Sequence, residues 1–131
     1  MPQKMIDTCP FCNLDSNRIV AETEHMLTIR DGFPVSLGHT LIIPKRHVAS
    51  FFDVTPEERN QLFDAIDHAK QELDKEISPD GYNIGINSGE AAGQTVMHLH
   101  IHLIPRFNGD CTDPKGGIRW IFPDKAKYWD D

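Results

Sequence analysis

Positive charge, cysteine and long apolar runs are all scarce in this chain. Its 131 residues include 13 Lys and Arg against 20 Asp and Glu, a formal net charge of -7 at pH 7. That deficit argues against a protein that coats nucleic acid or an anionic membrane by bulk electrostatics, while leaving room for a nucleotide held by backbone donors in a local site. No apolar run approaches the roughly 20 residues a membrane-spanning helix needs. The opening "MPQKMIDTCP" reaches polar residues and proline too early for a secretory leader, so a cytoplasmic location is expected. Three cysteines make an odd count, and Cys9 and Cys12 lie too close together for a secreted disulfide framework. Cys111, alone in a turn-rich stretch, reads as a bystander.

What is present suits one domain with a real core. "EHMLTIR" (24–30) and "HTLIIP" (39–44) read as strands joined by the turn-rich "DGFPVSLG". "YNIGIN" (82–87) and "MHLHIHLIP" (97–105) read as two more, joined by "SGEAAGQTV". Between the pairs lies the best helix signal. Thr55 is placed as N-cap, Pro56 at the first helical position and Glu58 three residues after the cap, a capping box. Leu62, Ile66, Ala69, Leu73 and Ile77 then recur with helical period, and "SPDG" ends the run. "HVASFFD" adds a shorter helical turn. Strands, one helix and more strands on short loops imply an antiparallel α+β domain.

The residues that carry chemistry are concentrated in "TVMHLHIHLIPR" (95–106). Strand side chains alternate, so His98, His100 and His102 share one face while Met97, Leu99, Ile101 and Leu103 face the core. Alternate residues stand roughly 6.6 Å apart, which makes one metal ion a strained fit for all three. Chance alternation of so uncommon a residue is the weaker reading. The preceding "NSGEAAGQTV" is rich in small residues that let backbone N–H groups approach an anion, and Gln94 and Thr95 add side-chain donors. Donors facing an imidazole suit phosphoryl chemistry, where charge on the phosphate oxygens is held during in-line attack. In "CPFC", two thiolates two residues apart make half of a tetrahedral zinc site that two histidines from elsewhere could complete. A glutaredoxin-like redox pair is weaker, because that fold needs a strand before the motif and a helix directly after it.

"GQTVMHLHIHLIPR", with "GHTLIIPKRH" (38–47) and "CPFC" (9–12) upstream, resembles the histidine triad superfamily over about residues 9 to 106. The small size and "CPFC" resemble its zinc-bearing, bacterial-type Hint-like hydrolases. The resemblance implies an antiparallel sheet with one long helix, extended across a homodimer. It implies that His100 attacks the α-phosphorus of a purine nucleotide to form a nucleotidyl-histidine that water resolves. His102 then contacts the phosphate or protonates the leaving group, and His39 matches a fourth histidine grouped with these catalytic positions. Asn87 matches an amide that contacts ribose and phosphate, Gln94 and Thr95 match the phosphate loop, and Asp31 matches the residue that binds ribose hydroxyls. Phe11, Leu14 and Ile29 fall where the base pocket lies, with ordinary core as the competing reading. The zinc-bearing branch pairs the two cysteines with positions that are His47 and His98 here, implying one structural Zn per chain held by Cys9, Cys12, His47 and His98.

One departure bears on the base pocket: "NLDSNRIVAETEH" is shorter than the usual connection after the cysteines. His25 and His68 match no family role, and His68 reads as solvated surface. The aromatic-bearing segment 107–131 is too apolar for a free tail and is expected to dock on the triad domain (1–106) or on its dimer partner. Substrates implied are purine nucleoside phosphoramidates or dinucleoside polyphosphates, with no nucleic acid and no membrane as partner. The alternative is a nucleotide-binding regulator with negligible turnover.

Overall fold

The computed structural model describes residues 7–130; residues 1–6, on which the leader reading partly rests, lie outside them. A five-stranded antiparallel sheet forms the centre, in the order β1-β2-β3-β5-β4. β2 (Met26–Arg30), β3 (Thr40–Pro44) and β4 (Gly81–Ile86) fall within the expected stretches or within two residues of them. β1 (Ile19–Glu22) was not anticipated. It is a four-residue edge strand whose register on β2 shifts between Ile19 and Ala21, too short and irregular to show a pattern.

The helix α1 spans Pro56–Glu76 and begins as its sequence predicts. Thr55 Oγ1 accepts from the Glu58 N–H at 3.1 Å, and Glu58 Oε1 accepts from the Thr55 N–H at 2.8 Å. Leu62, Ala65, Ala69 and Leu73 are buried from it, with Ile66 and Ile77 packed alongside. They meet Met26, Ile42, Leu99, Ile101 and Leu103 from one face of the sheet. Before β3 the chain turns at Gly38, whose φ is 83°; a Cβ there would lie 2.7 Å from Ile77 Cδ1, so both backbone and space call for glycine. The short turn expected after His47 is a 3₁₀ turn at Phe51–Asp53.

The opposite face carries the site. Register aligns Ile19, Ile29, Leu41, His102 and Gly85 in one row across the five strands. Its apolar end, Ile29, Leu41 and Ile43, is covered by Phe11 and Leu14 from the cysteine-bearing segment. The final strand differs from expectation: β5 is Ile101–Arg106, starting four residues after Met97. Residues 96–98 bend, the Leu99 N–H donates to the Val48 carbonyl at 2.7 Å, and Met97 is 45% exposed instead of buried. The three histidines therefore do not form one flat row. His100 and His102 face one cavity, while His98 is drawn inward. After β5, the 3₁₀ turn Gly117–Ile121 lies against β4, and the Trp129 ring closes on Gly116.

Candidate functional site

Two histidine clusters meet at the start of β5. In the first, Cys9, Cys12, His47 and His98 bring one potential ligand atom each within 4.8 Å of one another. Nδ1 of His98 lies 3.4 Å from Cys9 Sγ and 3.5 Å from Cys12 Sγ; His47 Nδ1 lies 3.3 Å from Cys12 Sγ and 3.2 Å from His98 Nδ1. Tetrahedral zinc, with Zn–S of about 2.3 Å and Zn–N of about 2.0 Å, sets sulfur–nitrogen edges of about 3.5 Å and a nitrogen–nitrogen edge of about 3.3 Å. The cluster has those edges, so the donor set fits a zinc ion. The second shell fits too. His98 Nε2–H donates to the Pro44 carbonyl at 2.7 Å, which leaves Nδ1 with the lone pair a metal needs. His98 is fully buried, and burial pushes its pKa below the ordinary value.

In the second cluster, the hydrogen-bond partners assign a tautomer to each neutral ring. His100 Nδ1 is 2.9 Å from the His98 carbonyl, an acceptor only, so Nδ1 carries the hydrogen and Nε2 keeps its lone pair. The Val35 N–H, a donor only, lies 3.1 Å from His39 Nδ1, so the hydrogen of neutral His39 sits on Nε2. That Nε2–H points at His102 Nδ1, 2.9 Å away, so neutral His102 carries its own hydrogen on Nε2. Burial lowers the pKa of both His39 and His102, which favours the neutral form of both imidazoles. The Asp31 carboxylate, 3.4 Å from His39 Nε2, opposes this shift at His39. The pair His100 and His102, with ring centroids 5.2 Å apart, thus offers one nucleophilic nitrogen beside one N–H donor.

Both rings line a cavity of about 470 Å³. Phe11, Asp31, His39, Asn87 and Thr95 line it with them, and Phe11 stands edge-on to His100 with ring centroids 5.0 Å apart. Three expected contacts are placed elsewhere. Gln94 is buried and engaged by its own loop: its amide donates to the Ala49 and Val96 carbonyls at 2.9 and 3.1 Å, and its oxygen accepts from the Gly89 N–H at 2.8 Å. It shapes the loop, with no donor left for a ligand. Ile29 is fully buried, and Leu14 packs with it behind the cavity wall, so both serve as core.

Sequence reading missed Leu41, Gly93 and Arg18 in the cavity lining. Leu41 was hidden in an unbroken apolar run, although its register opposite His102 follows from strand pairing. Gly93 adopts φ 93°, which the small-residue loop hinted at. Arg18, whose Nη2 donates to the Arg30 carbonyl at 3.1 Å, comes from the shortened segment after the cysteines. Cys111 is exposed beside Arg106, and His25 pairs with Glu24 at 2.9 Å, both away from the site.

The HIT domain family matches residues 14–109. Protein hit of Bacillus subtilis is 39% identical over 105 residues, covering 77% of this chain and 72% of its own length. Adenosine 5'-monophosphoramidase hnt1 of Schizosaccharomyces pombe is 34% identical over 105 residues, covering 77% and 76%. Among solved structures, a Zn-bound histidine triad family protein from Mycobacterium smegmatis superposes with a TM-score of 0.71 at 38% identity, covering 81% of this chain and 80% of that one. With its sheet, helix and paired histidine clusters in place, this chain belongs to the histidine triad (HIT) family.

Proposed function

We propose that this protein is a nucleotidyl hydrolase or transferase acting at the α-phosphate of purine nucleoside phosphoramidates or dinucleoside polyphosphates in the cytoplasm. The observation that carries the reading is the set of hydrogen-bond contacts that orients His100 and His102, inside a cavity that also holds Asp31, Asn87 and Thr95. His100 Nε2 attacks phosphorus, and the His98 carbonyl steadies the positive charge that develops on the ring through the Nδ1–H. His102 Nε2–H donates to the leaving atom. Thr95 and the backbone of the Gly93 turn receive the phosphate oxygens, and Asp31 receives the ribose hydroxyls. The monophosphoramidase activity named for the yeast relative belongs to the same reaction type.

Cys9, Cys12, His47 and His98 hold one structural zinc per chain. Held by these four protein ligands, the zinc would supply rigidity to the His98 backbone rather than activate water. Two chains form a homodimer through sheet extension, residues 1–106 being the triad domain and 107–131 a docked tail. Light scattering at working concentration should return twice the chain mass; a monomer mass rejects the dimer.

The deciding experiment traps the intermediate. Protein is mixed with an adenosine phosphoramidate and quenched at neutral or alkaline pH to preserve a phosphorus–nitrogen bond, and adducts are mapped by mass spectrometry. A nucleotidyl group on His100, absent from His100→Ala, is the expected outcome. Binding of AMP without adduct or turnover would instead mark a nucleotide-binding regulator.

A further inference from the structure

The cavity that holds His100 and His102 runs across the sheet toward β1, and its far end carries a cation. Arg18 closes the 3₁₀ turn Ser16–Arg18 that leads into β1, and it is the one Lys or Arg among the described residues lining that cavity. Its Nη2 donates to the carbonyl of Arg30, the residue before Asp31, at 3.1 Å. A Cβ on Gly32, the residue after Asp31, would lie 3.5 Å from the same nitrogen. The guanidinium therefore fills the space that a side chain at position 32 would take. The Phe33 N–H donates to Asp31 Oδ1 at 2.8 Å, closing the turn that sets Gly32 beside it. Asp31 itself reaches the other way, to His39 Nε2 at 3.4 Å. Among the described residues no carboxylate pairs with Arg18. The remaining lining near it, Pro10, Phe11 and Leu41, is apolar.

Resting on the nucleotidyl-transfer reading above, we infer that Arg18 recognises the base, and that it selects a 6-oxopurine, guanine or hypoxanthine, over adenine. With phosphate at the histidines and ribose at Asp31, the base is carried past Asp31 to the β1 end, where Arg18 stands. A guanidinium has five N–H donors in a rigid plane and no acceptor. One is spent on the Arg30 carbonyl, which fixes the plane and leaves the others for a ligand. Guanine and hypoxanthine present O6 and N7, two acceptors side by side, which match that fork. Adenine presents N7 beside an amino group, so a donor would face a donor. Covering the guanidinium with adenine would strip water from N–H groups and leave one of them unpaired, a cost the 6-oxopurine avoids. Apolar walls alone would hold any purine without this preference. Gly32 is part of the device: its φ is not left-handed, so what its lack of a side chain supplies is room for the guanidinium.

The test measures kcat/KM of the purified protein on four nucleoside 5'-phosphoramidates that differ only in the base: guanosine, inosine, 7-deazaguanosine and adenosine. Guanosine and inosine should exceed adenosine on the order of tenfold, the discrimination of one bidentate pair. 7-Deazaguanosine, which keeps O6 and lacks N7, should fall between them. Arg18→Met keeps the aliphatic stem and removes the donors, and should bring guanosine and adenosine to within about twofold of each other. Gly32→Val leaves Arg18 in the chain but crowds its guanidinium across the 3.5 Å contact, and should lower the same ratio. Adenosine turned over as well as guanosine by the wild type, or a guanosine preference that persists in Arg18→Met, overturns the assignment and leaves the nucleotidyl reading standing. If none of the compounds is turned over, the nucleotidyl reading falls, and calorimetric binding of GMP against AMP decides the role of Arg18. Tighter GMP binding that Arg18→Met abolishes supports it, and equal binding overturns it.

Discussion

At the scale of single residues, the site works through where hydrogens sit. Neutral imidazole has one hydrogen and two nitrogens, so its partner at one nitrogen decides the chemistry at the other. For His100 that partner is the His98 carbonyl, and for His102 it is His39, itself oriented by the Val35 N–H. His39 therefore acts as a positioning residue with its imidazole in the wall of the cavity. His39→Ala should lower kcat by one to two orders of magnitude with KM changed far less, because Asp31 and Asn87, the proposed nucleotide contacts, are left in place. ¹⁵N spectra of the histidine rings give a readout that simple loss of packing would not move: His102 should lose its single tautomer in the variant. A KM rise with unchanged kcat and an unchanged His102 spectrum rejects the relay. None of this proton order could be read from "HLHIHL". The alternation announced that histidines were gathered, but the Val35 and Pro44 backbone groups that orient His39 and His98 come from loop and strand positions with no side-chain signal.

At the scale of elements, the helix start was the most legible feature because its chemistry is local. Thr55, Pro56 and Glu58 satisfy one another within four residues, and the structure reproduces the capping box the sequence spells out. The opposite case is the start of β5, where the Leu99 N–H pairs with Val48, far away in sequence, and His98 turns inward toward the cysteines. Alternation alone extended that strand too far, because a long-range contact overrode it. β1 escaped for a similar reason, its four residues being defined by β2 rather than by their own pattern. The helix start also reaches toward the metal cluster. Buried Glu58 takes both a 2.8 and a 3.0 Å hydrogen bond from Arg46, the neighbour of His47. Thr55→Ala removes the cap alone and should cost about 1 kcal/mol in urea unfolding. Glu58→Gln weakens both the cap and the Arg46 anchor, so it should cost more, on the order of 2 kcal/mol, and should also hasten zinc loss to a chelator. Equal costs for the two variants, with equal zinc retention, would show that the Arg46 link contributes nothing.

At the scale of the molecule, the cysteine-bearing segment is joined to the sheet in two ways. Phe11 and Leu14 pack on Ile29, Leu41 and Ile43, and Cys9 and Cys12 close on His47 and His98. The metal-binding pattern was legible only as halves: "CPFC" pointed to zinc by spacing, whereas its partners had to come from the family resemblance, since 35 residues separate Cys12 from His47 and 86 separate it from His98. Those separations give a metal bound there a large expected effect on stability, because four ligands drawn from distant parts of the chain would close large loops. The same cluster includes His98, whose backbone carbonyl lies 2.9 Å from His100 Nδ1, so a metal held there would be coupled to the proposed chemistry through a single residue. Purification without added zinc should yield one zinc per chain, and Cys9→Ser should lower that ratio. Removal by a chelator should lower the urea midpoint and reduce kcat together, and zinc readdition should restore both. Replacement by cobalt separates the two roles. A closed structural site keeps kcat within about twofold when the metal changes, since no substrate atom reaches it. A kcat that follows the identity of the metal while the urea midpoint stays constant would place the ion in the reaction and remove the structural assignment.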